Sequence, residues 1–536
     1  MKKLLAISLM TVGCLYGLLA AVIILVFLLT DMPIESGIIL SLFIVVIQFL
    51  IAPALNDFVF KHFYKTKFDY EIPEYLKEFI KETCELHNIA YPKIGFIPDG
   101  TPNAFTYGRN KSDARIVITK GILDLLTEDE VKAVVAHEIG HIAHYDMIFM
   151  TVAQIVPLLL YYIYEVLLDT SSGKSSSSSD NDNNYGALIG LIAYLLYIVS
   201  QYIILALSRT REYYADAFAV DETKNPTAMG NALVKIGFGL AVGGKDEKSK
   251  VAEGNALGIS NKKFSKGMAI TSYNNGGVSK ENIIKAMKWE RWNVWAKLHE
   301  LNSTHPLISK RLLAISDKCE EHGHPRYIVF EEKQPESYVD DFFKELAISI
   351  APTIIFIISL IALFIMIEVN EDKALMTLGI GGIVFVSSLF LSLNYTHKNK
   401  GHKETTVSDL LSEVKVSNIT SVPCVLKGKV IGRGNPGCIF NEDFVIKDET
   451  GIIFMDYNQP LYVLEKFYAL FKLQENFDKE VIVKGWYRRS TSPYVEVYSM
   501  EIDGKVKKCH TYTTTKVVYG ILMVLSIFAF VSGVMM

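Results

Sequence analysis

At 536 residues the chain is too long for one ordinary soluble domain and calls for several folding units. Half of its residues are apolar and its mean hydropathy is positive, which excludes a plain soluble globule, and a net charge of −4 gives no sign of a nucleic-acid footprint or an acidic partner. The six cysteines (Cys14, Cys84, Cys319, Cys424, Cys438 and Cys509) form no CxxC pair, which argues against a cysteine metal site or a disulfide scaffold and predicts free thiols in a reducing compartment.

The apolar residues are bunched into runs near Leu4–Leu29, Gly37–Leu55, Ile148–Leu168, Gly186–Leu207, Ala347–Ile367, Ala374–Leu393 and Val517–Met536. Each is long enough to cross a hydrocarbon core of about 30 Å, so the expectation is a seven-span membrane protein. The first run follows Met1-Lys2-Lys3 but is too long for a cleaved signal peptide and has no small-residue cleavage site, so it reads as an anchor. Basic residues flank alternate ends of the runs: Lys2 and Lys3; Lys61, Lys65 and Lys67; Arg209 and Arg211; Lys398, Lys400 and Lys403; Lys505, Lys507, Lys508 and Lys516. The opposite ends carry Asp31 and Glu35, a Ser-rich loop over Asp169–Tyr185, and Glu368–Lys373. By the positive-inside rule the N-terminus and the polar segments 57–147, 208–346 and 394–516 face the cytoplasm, and the C-terminus lies outside. Low-complexity Ser171–Asn184 predicts a disordered outer loop, and Gly/Lys/Ser-rich Gly237–Lys266 a mobile cytoplasmic one.

The residues that carry chemistry begin at Thr127, which with Glu130 forms a capping box and starts a helix. That helix bears His137-Glu138-Ile139-Gly140-His141 and is expected to run directly into the third span. His137 and His141 lie one turn apart and can share a metal, while Glu138 projects where a carboxylate can take a proton from metal-bound water. Neutral imidazole suits zinc, and three ligands leave a fourth position for a water whose pKa falls to about 7. An ordinary amphipathic helix could carry this string by chance, but the cap and the adjoining span favour zinc.

His144 shares the face of His137 but lacks the spacing of a metzincin third histidine, so it reads as a surface or supporting residue. Asp146 is either an acceptor that orients a ligand imidazole or a solvated helix-end carboxylate. A better third ligand is Glu212, in Ser208-Arg209-Thr210-Arg211-Glu212-Tyr213-Tyr214-Ala215-Asp216, where the fourth span continues as helix. Asp216, one turn later, suits orientation of a zinc histidine. The alternative for both is a charged helix face paired with Arg209 and Arg211. If both helices run on unbroken from spans three and four, His141 and Glu212 come to one level roughly 8–10 Å above the membrane boundary.

Four motifs in this order resemble the HtpX and CAAX-prenyl-protease family of membrane gluzincins: Pro102-Asn103-Ala104-Phe105-Thr106-Tyr107-Gly108, the HEIGH helix, the Ser-Arg-x-Arg-Glu-x-x-x-Asp segment, and Thr304-His305-Pro306. The resemblance covers roughly residues 1–320. It implies that His137, His141 and Glu212 bind one zinc ion and that Glu138 is the general base. It also implies that Asn103, Ala104 and Phe105 belong to an edge strand that accepts an extended substrate by strand addition; a plain hairpin strand paired with Arg115–Thr119 is the other reading. His305 either reaches the substrate oxyanion or packs the entry to a helix at Pro306–Leu313. Tyr107 departs from the family, which usually has a smaller residue there.

After the sixth run, strand-like stretches at Cys424–Ile431, Ile439–Lys447, Gly451–Tyr457, Glu480–Tyr487 and Tyr494–Glu501, with a helical stretch Pro460–Leu473 between the third and fourth, follow the OB-fold order. Trp486, Arg488, Arg489 and Tyr494 could form a stacking and phosphate surface for nucleic acid. Residues 403–510 hold equal numbers of basic and acidic side chains, however, so no nucleic acid is expected and a protein-interaction or gating module is favoured.

The expectation is therefore a multi-pass α-helical membrane protein with a mostly helical, α+β cytoplasmic gluzincin-type peptidase domain and a C-terminal OB-like β-barrel. Its parts are spans one and two (1–56), catalytic segments 57–147 and 208–346 around spans three and four (148–207), spans five and six (347–393), the barrel (403–510) and the last span (517–536). Its expected activity is zinc-dependent endoproteolysis of misfolded or membrane proteins, among membrane lipids. The alternatives are removal of a C-terminal tripeptide from prenylated proteins, or a scaffold without catalysis, for which Glu138 would have no use.

Overall fold

A computed structural model of the chain describes residues 2–29, 35–100, 102–172, 185–242, 273–274, 277–398, 401–433, 442–490 and 492–535. The chain divides into two units, one of Met1–Ile236, Lys250–Lys262 and His299–Val329, the other of Gly237–Ser249, Lys263–Leu298 and Phe330–Met536. The expected catalytic segment 208–346 is thus shared between them. Its helix Lys280–Trp292 belongs with the second unit because Trp289 Nε1 donates to Val416 O at 2.7 Å, and Asn293 Nδ2 to Val414 O at 2.9 Å.

Six helices among the described residues are long and apolar enough to cross a membrane: Lys2–Val26, Asp146–Leu168, Gly186–Thr223, Val339–Val369, Glu371–Thr396 and Thr511–Met535. The remaining apolar run, Gly37–Leu55, lies on a continuous helix. Up to Ile236 the helices of the first unit are α1 (Lys2–Leu29), α2 (Glu35–Phe63), α3 (Glu74–Leu86), α4 (Lys120–Leu125), α5 (Glu128–Ala143), α6 (Asp146–Ser172), α7 (Tyr185–Thr223) and α8 (Pro226–Val242), which runs past that residue. Helices α1, α6 and α7 pack around Leu15, Val22, Val156, Leu160, Ile189 and Ala193. The loop expected at Ser171–Asn184 falls almost wholly outside the described residues, since α6 runs on to Ser172. Of the one expected at Gly237–Lys266, residues 237–242 are helical and the rest lie outside.

The α5 start is as the sequence predicts: Thr127 Oγ1 accepts from Glu130 N, and the Glu130 carboxylate accepts from Thr127 N. The expected unbroken run from α5 into the third span does not occur. Tyr145, at φ +61°, takes the left-handed conformation that ends helices, and α6 starts afresh at Asp146. The break lets Asp146 face back towards α5. By contrast α7 runs unbroken for 39 residues through Glu212 and Asp216.

A three-stranded sheet of β1 (Lys93–Ile97), β2 (Ala104–Gly108) and β3 (Ala114–Thr119) has the order β1-β3-β2, with β2 antiparallel to β3. Ala104 pairs with Ile118 and Tyr107 with Arg115, so the expected pairing is met and β2 is an edge. Side chains alternate across it: Phe105 and Tyr107 pack on Phe60 of α2, and Thr106 turns to α5.

In the second unit a two-stranded ribbon, β4 (Tyr273–Asn274) and β5 (Gly277–Val278), precedes a sheet of β6 (Lys403–Glu404), β7 (Val422–Arg433), β8 (Phe444–Lys447), β9 (Ile452–Asp456), β10 (Glu480–Arg489), β11 (Pro493–Ile502) and β12 (Lys505–Lys508). Strands β7, β8, β9, β11 and β10 follow one another, and β10 pairs back with β7, which closes a five-stranded barrel with β9 and β11 parallel. The helix Tyr462–Phe471 stands between its third and fourth strands, so the barrel is OB-like. The second expected strand begins later than Ile439, at Phe444, with residues 434–441 outside the described set.

Candidate metal centre

Helices α5 and α7 approach closely because position 140 has no side chain. A Cβ on Gly140 would stand 3.2 Å from Phe218 Cβ and 3.3 Å from Ala215 Cα of α7. That approach brings His137 and His141 against Glu212, whose ligand atoms all lie within 4.8 Å of one another. His137 Nε2 is 3.7 Å from Glu212 Oε2, and His141 Nε2 is 3.6 Å from Glu212 Oε1.

The other nitrogen of each ring is held by a carboxylate. Asp216 Oδ1 lies 2.9 Å from His137 Nδ1, and Asp146 Oδ2 lies 2.6 Å from His141 Nδ1. These partners place the ring protons on Nδ1 and leave each Nε2 of a neutral ring as a bare lone pair. The two Nε2 atoms face each other at 3.1 Å, beside a Glu212 Oε2 that is buried and makes no hydrogen bond. Two lone pairs so close repel, so a cation must lie among them, either a proton on one of the two rings or a metal ion. The residues therefore fit a metal ion, and the donor set of two imidazoles and one carboxylate is one that zinc accepts.

Burial depresses the His137 imidazole, against the opposing pull of Asp216. It acts likewise on His141, but the hydrogen bond and charge of Asp146 outweigh it and lift that ring to about 9. Glu138 is buried beside the histidines, and burial pushes its carboxyl up, opposed by His141, by a hydrogen bond from Thr106 and by Arg311. Glu138 is thereby a stronger base than an exposed glutamate.

Each expected residue can be placed. Asp146 and Asp216 both touch ligand imidazoles. His144 does not join the cluster: its ring stands edge-on to Tyr214 and Phe218, and burial holds it down to about 4. His305 does reach the site, with Nε2 3.6 Å from Glu212 Oε1 and Nδ1 2.8 Å from Thr304 Oγ1. The helix that follows it is Ile308–Glu321 rather than one starting at Pro306. Ala104 and Phe105 are buried, and Phe105 spends its side chain on the core with Phe60 and Val117. The Asn103 backbone is tied to Thr119 in both directions. The strand's contact with the centre is made by Thr106, whose Oγ1 lies 3.5 Å from Glu138 O.

Two arginines essential to this geometry were missed by sequence reading. Arg311, fully buried, donates Nε and Nη2 to the two Asp216 oxygens at 2.7 and 2.6 Å, and its Nη1 lies 3.3 Å from Glu212 Oε2. Arg211, a partner of Glu212 only in the alternative reading of a charged face, grips Asp146 at 2.5 Å, donates to His144 O, and reaches Ser8 Oγ on α1 at 2.8 Å. Tyr107, the departure from the family pattern, donates to Asp57 Oδ1 at 2.6 Å, an acceptor it shares with Arg115. Of the set weighed for stacking, Trp486, Arg488 and Arg489 are buried, and the half-buried Tyr494 donates its hydroxyl to Asn418 Oδ1. Trp486 Nε1 donates to Lys398 O, Arg488 to Glu496 and backbone carbonyls, and Arg489 to Leu411 O and Ala286 O.

Compared with known proteins, residues 73–318 match the model of Peptidase family M48. The chain is 36% identical over 193 residues to a protease HtpX homolog of Methanothermobacter thermautotrophicus, covering 36% of this chain and 69% of that protein. It is 33% identical over 202 residues to a protease HtpX homolog of Campylobacter hominis, covering 36% and 70%. Among solved structures it is similar to the crystal structure of S. mikatae Ste24p, with a TM-score of 0.34 and 19% identity over 59% of this chain and 66% of that one. The family match ends before the barrel begins.

Proposed function

The chain belongs to peptidase family M48, and on that premise we propose that it is a zinc-dependent endopeptidase held in a membrane with its active site at the cytoplasmic face. The observation that carries this reading is the convergence of two imidazole Nε2 atoms and a carboxylate beside the buried Glu138. His137, His141 and Glu212 would hold one zinc ion per chain. Bound there, zinc supplies Lewis acidity, making a water acidic near neutral pH and polarising a carbonyl.

Glu138 takes the proton of the attacking water and later delivers it to the leaving amine, a role its raised basicity suits. Asp146 and Asp216 hold the two imidazoles in the tautomer that keeps Nε2 free. His305 Nδ1 lies 2.8 Å from the Thr304 hydroxyl, and in the tautomer in which that hydroxyl donates, the ring proton on Nε2 suits donation to the oxyanion that forms at the scissile carbonyl. The edge strand β2 beside Glu138 suits an extended substrate, paired through backbone groups of Ala104 and Phe105, while Asn103 anchors the strand to Thr119. Such pairing is tolerant of sequence, which favours misfolded or membrane-associated proteins as substrates.

The test is zinc content and casein cleavage of the wild type beside Glu138→Gln. Zinc retained with cleavage lost in the variant is the expected result; cleavage retained would sink the assignment. The orientation rests on the alternation of basic flanks. In a cysteine-free protein Ser176→Cys should react with an impermeant thiol reagent from outside intact cells, and Lys403→Cys only after lysis. The reverse pattern would turn the protein over.

A further inference from the structure

The helix Tyr462–Phe471 of the barrel buries one face and leaves the other bare. Tyr468, Ala469 and Glu465 are inside, while Leu461, Tyr462, Val463, Phe467, Leu470 and Phe471 are exposed. So continuous an apolar surface on one short helix marks an interaction site. Its place in the second unit limits what can cover it. Three residues before it begins, Gln459 Nε2 donates to Lys508 O at 3.2 Å and Gln459 Oε1 accepts from His510 N at 3.4 Å. The next residue, Thr511, opens the last apolar helix.

The barrel is also fastened to the end of the preceding apolar helix. Ser421 Oγ donates to Thr396 O at 2.7 Å, and Arg488 Nη2 donates to the same carbonyl at 3.0 Å. The bare helix is therefore held where two membrane-crossing helices meet the barrel, and it cannot stray far from the bilayer surface. Lysines border it: Lys472 follows the helix directly, with Glu475 beyond it, and Lys505, Lys507 and Lys508 lie on the strand leading into the span. Lys507 stands 5.5 Å above the Tyr468 ring. Burial, together with the charges of Lys472, Lys479 and Lys505, holds its ammonium below the usual range. An apolar, aromatic-bearing helix bordered by lysines has the composition of a segment lying in the headgroup region.

We propose that helix Tyr462–Phe471 lies in the membrane interface, its apolar face among the upper acyl chains and its lysine border among anionic headgroups. The OB-like barrel is then docked on the lipid surface. This does not depend on the proteolytic reading.

The test uses the full chain, cysteine-free, reconstituted in vesicles of zwitterionic lipid with and without a third of anionic lipid. A spin label is placed at Phe467→Cys or Val463→Cys, both solvent-exposed positions, with Lys427→Cys on the barrel wall as the aqueous reference. The expected result is that oxygen relaxes the labels at 467 and 463 several-fold more than a water-soluble nickel chelate does, with the reverse at 427. Anionic lipid should deepen the first two. Equal access of the chelate to all three sites would overturn the proposal. So would spin–spin broadening between copies at 467 without lipid immersion, which would mean that a second chain covers the helix. Lys472→Glu with Lys507→Glu should abolish the anionic-lipid effect alone; if it persists, the lysine border is not what recognises the headgroups.

Discussion

Each unit buries an arginine among carboxylates, and the two networks end differently. In the barrel, Arg488 sends Nε to Glu496 Oε2, Nη1 to Asn418 O and Nη2 to Thr396 O, while His397 caps the remaining Glu496 oxygen. The network closes on itself, and although burial alone would raise Glu496, these partners hold it down at about 2. In the first unit Arg311 saturates Asp216, which fixes His137, but the chain of partners ends at a Glu212 oxygen that has an ion-pair contact with Arg311 and no hydrogen bond, beside two imidazole Nε2 atoms that face each other at 3.1 Å. A closed buried network is scaffolding. One that ends in unmet acceptors is built around something the protein must bind.

The largest effect that can break this contrast is expected at Glu212. Glu212→Ala should lose most bound zinc and all casein cleavage while the protein still inserts, because only an acceptor is removed. Glu212→Asp, shorter by one methylene, should recover part of each. Full zinc occupancy in the alanine variant, measured by atomic emission, would move the third ligand elsewhere, with Asp146 or His144 next to test.

A smaller and more discriminating effect comes from the arginines. Arg311→Met leaves Asp216 buried without its counter-charge, a loss on the order of 3–5 kcal/mol in folding stability. Zinc affinity should fall with it by roughly 10–100-fold, since a partner that orients a metal ligand is loosened. Arg488→Met should cost a comparable amount in stability, yet leave zinc stoichiometry and turnover per folded molecule unchanged. If both variants lose zinc equally, the distinction between open and closed networks fails.

Local spacing made half of this visible in the sequence. His137, Glu138 and His141 declare themselves by helical period, the Thr127–Glu130 box by its three-residue offset, and the barrel by the order of strands around Tyr462–Phe471. Glu212 followed from the continuity of the fourth span, although the partner argument assumed an unbroken α5–α6 that Tyr145 interrupts. Arg311 and Arg211 were illegible, because their partners Asp216 and Ser8 stand 95 and 203 residues away and no periodicity links them. Trp486, Arg488 and Arg489 could be weighed as a binding surface because composition does not say that segments near residues 286, 396–398, 411 and 418 cover both faces of their strand.

The smallest effect concerns buried carboxylates in the barrel whose burial outweighs the basic charges near them, Arg488 for Asp456 and Lys466 for Asp443. Burial, with the charges of Asp443 and Glu496, pushes Asp456 from its usual 3.8 up to about 7, and burial raises Asp443 to about 6. A carboxyl raised in the folded state binds more protons there than in the unfolded chain between those values, so barrel stability should fall as pH rises from about 4 to 7. Glu496, held at about 2, is ionised in both states above about pH 5 and adds no slope in that window. All four tryptophans, Trp289, Trp292, Trp295 and Trp486, lie in the second unit, so their fluorescence in the full chain reports that unit alone. The urea midpoint should be lower at pH 8 than at pH 5, by a free energy on the order of 2 kcal/mol. Asp456→Asn should abolish most of the difference by raising the midpoint at pH 8, leaving zinc content untouched. A midpoint that rises with pH in the wild type, or a variant less stable than wild type at pH 8, would show that Asp456 is ionised and paired, and that the barrel's buried acids are as fully satisfied as its arginines.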